Sequence, residues 1–167
     1  MITPDSERTM LVDLAAANTL TAEDIPADFF NDAGIAHFEG YMVENRDLML
    51  NLLDRAYDAG CLIALDLGSF TIVRAHHDFI RQIVRDYVDV LIGNESEGMV
   101  YTETVGDEDI VKTMAQNVDI AVLKNGVRGS LIHTGGKTVT INAANNPVRP
   151  VIDTTGAGDL WNSGFLY

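Results

Sequence analysis

Hydrophobic positions follow two alternating spacings through the middle of the chain. In residues 46–59 they recur at the spacing of one helical face, and Gly60 follows where a glycine often ends a helix. Residues 61–67 form an almost continuous apolar run, which is typical of a strand buried on both faces. The same succession returns in residues 71–88 and 89–94. The pattern therefore predicts two helices, each followed by a buried strand.

The flanking segments extend this pattern to the rest of the chain. Residues 129–143 are typical of a hairpin, because two strand-like runs flank Gly135 and Gly136, a favourable two-residue turn. The other predicted elements are, in chain order, an extended segment or strand over 8–20, a short strand over 36–43, a helix over 107–117, a strand over 119–126 and a helix after Gly158.

Strands that alternate with helices predict a mostly parallel sheet covered by helices. Successive strands should lie side by side, because right-handed crossovers connect neighbouring strands. We expect a single α/β domain over residues 1–167. Ligands of such sheets gather beyond the carboxyl ends of the strands. Polar residues stand at three of these predicted ends: Asp66, Asn94 to Glu97, and Lys124 to Gly126.

The charge of the chain restricts its partners. Its 167 residues carry a formal net charge of −14, from 25 acidic and 11 basic residues. Non-specific binding to nucleic acid or to an anionic membrane needs a basic surface, so neither partner is expected. A phosphate-bearing small ligand remains compatible, because backbone amides, local cations or a metal can bind it. No apolar run reaches membrane-spanning length, and a cytoplasmic location is expected.

Cysteine and histidine often take part in catalysis or metal binding, but structural roles explain them more simply in this chain. Cys61 is the single cysteine and lies in an apolar run, so we expect a buried, inert thiol. His76 and His77 are adjacent and would point apart on a helix, and the sequence offers no third metal ligand. We expect the two histidines to form a surface pair.

The stretch DTTGAGD at residues 153–159 combines two glycines with two carboxylates. Its glycines can adopt backbone angles that are closed to other residues. If a helix begins here, its unpaired amides form an anion hole for a phosphoryl group, and Asp159 in the first turn can accept a proton from a hydroxyl. Alternatively, Asp153 caps a tight turn and Asp159 only complements the helix dipole. No G-K-[ST] follows, which excludes a Walker-type loop.

These residues resemble the C-terminal motif of the PfkB/ribokinase family of sugar and nucleoside kinases. DTTGAGD is followed by LWNSGFL, in which Trp161, Gly164 and Phe165 also match the motif. GNESEG matches the N-x-x-E element of the family, and VLKNGVRGSLI resembles the strand and glycine turn near the nucleotide. TPDSERTM resembles a segment of the adenosine-kinase-like branch. The resemblance spans nearly the whole chain and implies an incomplete ribokinase-like three-layer sandwich, similar to a Rossmann fold.

The resemblance implies roles for the residues of the glycine-rich turn. Asp159 would be the catalytic base that deprotonates the hydroxymethyl group of a sugar or nucleoside acceptor. Gly156, Ala157 and Gly158 would form the anion hole for the γ-phosphoryl group of ATP. The implied activity is an ATP-dependent carbohydrate or nucleoside kinase.

The resemblance also implies the residues that hold the nucleotide and the metals. Asn94 and Glu97 would act on Mg²⁺ through water, and Asn125, Gly126 and Thr154 would lie near ATP. Lys124 departs from the small hydroxyl residue that is often found at its position. A monovalent cation, K⁺, would be held by Asp153 and Thr155.

Family members are longer than this chain, and the resemblance implies that an N-terminal lid region and the final C-terminal helices are absent from it. Two functional hypotheses therefore remain open. The first is a sugar or nucleoside kinase whose catalytic half is present. The second is a catalytically incomplete fragment that binds nucleotide or sugar, or that forms an oligomer such as a homodimer.

Overall fold

The computed structural model describes residues 15–144 and 153–167. The chain divides into two compact units. One unit comprises residues 20–143, and the other comprises residues 1–19 together with residues 144–167. The single-domain organisation stays a prediction.

The larger unit is built on a six-stranded sheet whose strand order follows the chain. The first four strands are parallel, and the last two add to the sheet as an antiparallel hairpin. The predicted mostly parallel sheet with sequential neighbours is therefore confirmed. The strands are β1 (Ile35–Glu39), β2 (Leu62–Asp66), β3 (Val90–Asn94), β4 (Ile120–Lys124), β5 (Ser130–Thr134) and β6 (Lys137–Ile141).

Helices connect the parallel strands, and a polar side chain caps the start of each of the first two. The side chain of Asn45 accepts a hydrogen bond from the Leu48 amide, and that of Ser69 accepts one from the Thr71 amide. Gly60 follows the first helix with φ of 77°, as predicted for a glycine at a helix end. The helices are α1 (Arg46–Asp58), α2 (Phe70–Ala75), α3 (His77–Tyr87), α4 (Glu95–Thr102), α5 (Asp107–Met114) and, in the smaller unit, α6 (Ala157–Leu166).

The single helix predicted over residues 71–88 is wrong, because the backbone leaves the helical region at His76. With φ of −123° and ψ of 24°, this residue ends α2 and precedes α3. A continuous apolar stripe does not reveal a single non-helical residue, since the periodicity resumes after it. The predicted surface pair of histidines is also wrong: both are half-buried, and His77 donates from Nε2 to the Tyr101 carbonyl at 3.1 Å.

Other predicted elements differ at their ends. Residues 8–14 lie outside the described residues, but Ala15–Thr19 form a 3-10 helix, so the predicted strand is wrong there. The strand predicted over 36–43 ends at Glu39 and is followed by a 3-10 turn, Gly40–Glu44. The turn brings the backbones of β1 and β2 so close that a Cβ on Gly40 would lie 2.2 Å from the Leu67 carbonyl oxygen. Helix α4 was not predicted as an element.

The core lies on both faces of the central strands. Consecutive residues of β2 and β3 are buried, which requires cover on both sides of the sheet. Leu65, Leu91 and Leu123 are fully buried, and each contributes about 1.5–3 kcal/mol through removal of its side chain from water. Cys61 is buried as expected, and its thiol lies 3.2 Å from the Ala33 carbonyl oxygen.

Glycines shape the hairpin of β5 and β6. Gly135 and Gly136 have φ of 55° and 74°, the pair of positive angles that a two-residue hairpin turn requires, so the predicted turn is confirmed. Gly129, just before β5, has φ of 90°, and a Cβ there would lie 1.9 Å from the Ile141 carbonyl oxygen. A side chain at this position would force the start of β5 away from the end of β6.

We expect Gly129→Ala to lower the free energy of unfolding by about 3 kcal/mol, because it combines backbone strain with a steric clash. Gly126→Ala is the matched control, since Gly126 also has positive φ but no atom lies within 4 Å of the added Cβ. The control should cost about 1 kcal/mol. Urea unfolding of both variants measures the difference. Equal losses would show that the close approach to β6 has no energetic weight.

Candidate active site

The carboxyl ends of the parallel strands bring charged and amide side chains together on one face of the sheet. Asp66 pairs with Ile92, and Asn94 pairs with Lys124, in the parallel register. Residues two apart on a strand share a face, so Asp66, Asn94 and Lys124 project from the same side. This edge is the position at which open α/β sheets bind ligands.

Asn94 and Glu97 form a reciprocal cap at the start of α4. Asn94 Oδ1 accepts from the Glu97 amide at 3.0 Å, and Glu97 Oε2 accepts from the Asn94 amide at 2.8 Å. A third bond joins Asn94 Nδ2 to Glu97 Oε1 at 2.6 Å. The N-x-x-E segment is therefore the capped start of α4. It also fixes both side chains at the strand ends.

Glu97 is a buried carboxyl group whose surroundings disfavour its charge. Glu97 is itself buried, and this burial raises the pKa of its carboxyl group above the usual 4.5. The negative charge of Asp66 raises this pKa further, whereas hydrogen bonds from Asn94 and the positive charge of Lys124 lower it. The carboxyl group is thus sensitive to any cation that approaches the strand ends.

Lys124 and Asp66 form a buried ion pair across the sheet. Lys124 Nζ lies 2.6 Å from Asp66 Oδ2, and their side chains are only 14% and 7% exposed. Asp66 Oδ1 accepts a hydrogen bond from the Gly68 amide at 3.0 Å. Asp66 and Lys124 both stand at predicted strand ends in the sequence, but no role in the site was predicted for either of them. The sequence signal for this ion pair was the presence of opposite charges at two predicted strand ends.

The turn after β4 is held by a network of side chains. The Asn125 amide donates to the Gly129 carbonyl at 2.8 Å, and Asn125 Nδ2 donates to Asp107 at 2.8 Å. Arg128 donates to Asp107 at 2.6 Å and to Glu95 at 2.5 Å. Asn125 is buried, and its Oδ1 has no partner within the described part of the chain. No role in this network was predicted for Glu95, Asp107 and Arg128, because their contacts depend on the folded turn.

The smaller unit presents the glycine-rich turn at the start of α6. Gly156 has φ of 74° and ψ of 3°, so a left-handed residue precedes the helix. The Ala157 amide donates to the Thr154 carbonyl at 3.1 Å, within the turn. Helix geometry leaves the amides of Gly158 and Asp159 without an intrahelical acceptor. Asp159 is exposed in the first turn.

Asp153 and Thr155 form an Asx turn in the same unit. The Thr155 amide donates to Asp153 Oδ1 at 2.8 Å. This bond is the turn-capping contact that the sequence offered as the alternative role of Asp153. Across residues 15–144 and 153–167, no group of three or more acidic, histidine or cysteine side chains is arranged to hold a metal ion.

The structure thus brings together part of the predicted site within each unit. Asn94 and Glu97 are in direct contact, and Asn125 and Gly126 follow β4, the neighbour of β3. The other predicted site residues lie in the smaller unit, around the start of α6: Asp153, Thr154, Thr155, Gly156, Ala157, Gly158 and Asp159.

Comparison with known proteins identifies the family to which the chain belongs. The family described as "pfkB family carbohydrate kinase" matches residues 1–167. The chain belongs to this family. Within the pfkB family, a protein from Archaeoglobus fulgidus named "Uncharacterized sugar kinase" is 26% identical over 160 residues, which cover 96% of this chain and 62% of that protein.

Solved structures of related kinases share the fold. The adenosine kinase from Sinorhizobium meliloti superposes with a TM-score of 0.81 at 26% identity, covering 88% of this chain and 46% of that one. A ribokinase II candidate from E. coli, solved with ATP and Mg²⁺, has a TM-score of 0.77 at 18% identity, covering 90% and 50%. The ribokinase-like fold predicted from the sequence is confirmed, and the chain spans about half the length of these kinases.

The pfkB relatives include both sugar kinases and adenosine kinases, so the adenosine-kinase-like branch stays a prediction. Among the helices that the structure describes, none is long and apolar enough to cross a membrane.

We expect Glu97→Gln to change how stability depends on pH. Because the pKa of Glu97 is raised in the folded state, the carboxyl contributes stability that is full below about pH 4.5 and is lost as the pH rises through the folded pKa. The unfolding free energy of the unmodified chain should therefore fall relative to that of the variant above about pH 4.5. Urea unfolding between about pH 4 and pH 8 measures this difference.

Glu44→Gln removes one negative charge at an exposed position and is the control for Glu97→Gln. The difference between the Glu97 variant and the unmodified chain should change with pH more than the Glu44 difference does. Parallel curves for both variants would contradict the burial of a destabilised carboxylate at Glu97.

Proposed function

We propose that this chain carries the phosphoryl-transfer half of a kinase that moves the γ-phosphoryl group of ATP to the hydroxymethyl group of a sugar or nucleoside. The observation that carries the proposal is the start of α6, where a left-handed glycine precedes a ten-residue helix with an exposed aspartate in its first turn. Membership of the pfkB family supports this assignment.

Asp159 is the proposed catalytic base. Its carboxylate accepts the proton of the acceptor hydroxyl, the hydroxyl oxygen forms a bond to the γ-phosphorus, and the bond from that phosphorus to the bridging oxygen of ADP breaks. A base of this kind needs access to the acceptor, and Asp159 is exposed. Its position in the first turn of α6 keeps the carboxylate beside the amides that face the phosphoryl group.

The amides of the glycine-rich turn are the proposed anion hole, contributed by Gly156, Ala157 and Gly158. The positive end of the α6 dipole and the helix amides that lack intrahelical acceptors stabilise charge on the moving phosphoryl group. The Ala157 amide already donates a hydrogen bond to the Thr154 carbonyl. The backbone amides of Gly158 and Asp159 are therefore the better-placed donors to a phosphoryl group. Small residues at this turn let the phosphoryl oxygens approach the backbone.

Asn94 and Glu97 are the proposed residues that hold Mg²⁺ through water. Their oxygen atoms are of the type that Mg²⁺ prefers. Each of these oxygens already accepts a hydrogen bond inside the cap, which favours contact through water over direct ligation. Bound with ATP, the metal would neutralise charge on the triphosphate.

The nucleotide is proposed to lie near Asn125, Gly126 and Thr154. The unpartnered oxygen of Asn125 shows that polar groups of this turn are not all satisfied within the described protein atoms. Asp153 and Thr155 are the proposed K⁺ ligands. A sugar or nucleoside is the proposed acceptor, and a homodimer is the proposed oligomer if one forms.

A second candidate is a nucleotide- or sugar-binding module without turnover. The observation that favours it is length, because the chain spans 62% of the Archaeoglobus relative and 46% of the Sinorhizobium adenosine kinase. A chain of this length would then bind ligand without completing the reaction.

We expect Asp159→Asn to lower the rate of phosphoryl transfer at least about 100-fold and to leave nucleotide affinity nearly unchanged, because it removes the base and keeps the shape. ADP release from ATP with Mg²⁺, across a panel of sugars and nucleosides, measures the rate. Calorimetric titration with ADP and Mg²⁺ measures the affinity. Asp28→Asn, at an exposed position far from the glycine motif in sequence, is the control for charge removal.

The outcomes separate the two candidates. An unmodified chain that binds nucleotide but turns over no faster than Asp159→Asn supports the binding module. An active chain whose Asp159→Asn variant keeps full activity contradicts the role of Asp159 as base. A chain that binds neither nucleotide nor any sugar or nucleoside of the panel contradicts both candidates.

A further inference from the structure

We infer that Lys124 is an internal counter-cation that excludes free divalent metal ions from the strand ends, so that this site accepts magnesium only as a nucleotide complex. The inference rests on the proposed magnesium-dependent function and extends it to a residue with no role there. Lys124 would act as a positioning residue, because its ammonium group acts on carboxylates and not on the reacting atoms.

The first observation is the reach of the lysine across the sheet. Asp66 ends β2 and Lys124 ends β4, and β3 lies between these strands. The two side chains nevertheless meet, with Nζ 2.6 Å from Oδ2. They pass over the end of β3, where Asn94 and Glu97 form their cap. The ammonium group is therefore held at the edge of the sheet proposed to face magnesium.

The second observation is the burial of this pair. The side chain of Lys124 is 14% exposed and that of Asp66 is 7% exposed, whereas the ion pair of Lys112 with Glu108 is 49% and 72% exposed. Charges removed from water need close partners, and each charge acts strongly on its neighbours. An exposed surface pair would have little influence on metal binding.

The third observation is the balance of charge among the neighbouring groups. Asp66 and Lys124 both act electrostatically on Glu97, with opposite signs. Two carboxylates with one ammonium carry a net charge of −1 when all are ionised. Without the lysine the same groups would carry −2, with oxygen atoms that suit Mg²⁺ or Mn²⁺. The lysine thus occupies the electrostatic position that a free cation would otherwise take.

A structural ion pair that only ties β2 to β4 is the competing explanation. It predicts that loss of the lysine lowers stability and leaves metal affinity unchanged. The counter-cation predicts in addition that a neutral residue at position 124 creates affinity for a divalent cation in the absence of nucleotide. Metal binding, measured without activity, separates the two.

The test is titration of the nucleotide-free chain with Mn²⁺, followed by the electron paramagnetic resonance signal of the free ion. We expect the unmodified chain to show no saturable Mn²⁺ site up to about 1 mM. Lys124→Met should bind Mn²⁺ with a dissociation constant at least about tenfold below that limit. Lys124→Arg keeps the charge and should behave as the unmodified chain does. Lys124→Met combined with Asp66→Asn removes both charges and should lose the gain.

Thermal unfolding provides a second readout. We expect Mg²⁺ to raise the melting temperature of Lys124→Met and to leave that of the unmodified chain unchanged. Saturable Mn²⁺ binding by the unmodified chain overturns the inference, as does a folded Lys124→Met variant that binds no more tightly. If Lys124→Met does not fold, Lys124→Gln takes its place as the neutral variant in the same titration, and a folded Lys124→Gln chain that binds Mn²⁺ no more tightly than the unmodified chain overturns the inference.

The result is separable from the proposed function. Titration of the unmodified chain with ADP and Mg²⁺ tests nucleotide binding, whereas the Mn²⁺ titration contains no nucleotide. A chain that binds no nucleotide overturns the proposed kinase. The exclusion of free metal by Lys124 is supported or overturned by the Mn²⁺ titration alone.

Discussion

Parallel pairing of β2, β3 and β4 fixes the position of each charged group at the strand ends. Because these strands run in the same direction and in register, their last residues emerge at one edge of the sheet and on one face. Asp66, Asn94 and Lys124 are neighbours for this reason, although they are distant in sequence. A slip of one residue in any of the three strands would turn its side chain to the opposite face and dissolve the cluster.

In the proposed function, the same edge of an acidic protein receives an anionic ligand. A net charge of −14 opposes the approach of a triphosphate. At the strand ends, however, the carboxylates are engaged: Asp66 pairs with Lys124, and both oxygens of Glu97 accept hydrogen bonds from Asn94. Their negative charge is directed toward partners inside the protein. In the proposed function, a ligand that arrives with its own metal would meet a cluster in which one of the two carboxylates is paired with an ammonium group.

Helix starts hold much of the proposed site in both units. At α4, an asparagine and a glutamate satisfy backbone amides and leave side-chain oxygens at the sheet edge. At α6, a left-handed glycine takes the cap position, so the cap residue itself adds no side chain before the first turn. The two helices differ for a physical reason. A cap side chain fixes carboxyl geometry, whereas its absence leaves amides available to a phosphoryl group.

The sequence by itself determined the six strands of the sheet, apart from their exact ends, and the glycine-rich turn, because hydrophobic spacing and glycine positions act over a few residues. Residues 61–67 and 89–94 were predicted as buried strands and form β2 and β3. It also showed Asn94 and Glu97 three residues apart, which is the spacing of a reciprocal helix cap, although α4 itself was not predicted.

Only the tertiary structure decided the break at His76 and the partners of distant charges. Lys124 and Asp66 are 58 residues apart, and no local pattern reports which acid a lysine reaches once strands are paired. The raised pKa of Glu97 was likewise invisible in the sequence, because burial is a property of the packed core and not of the residues beside it.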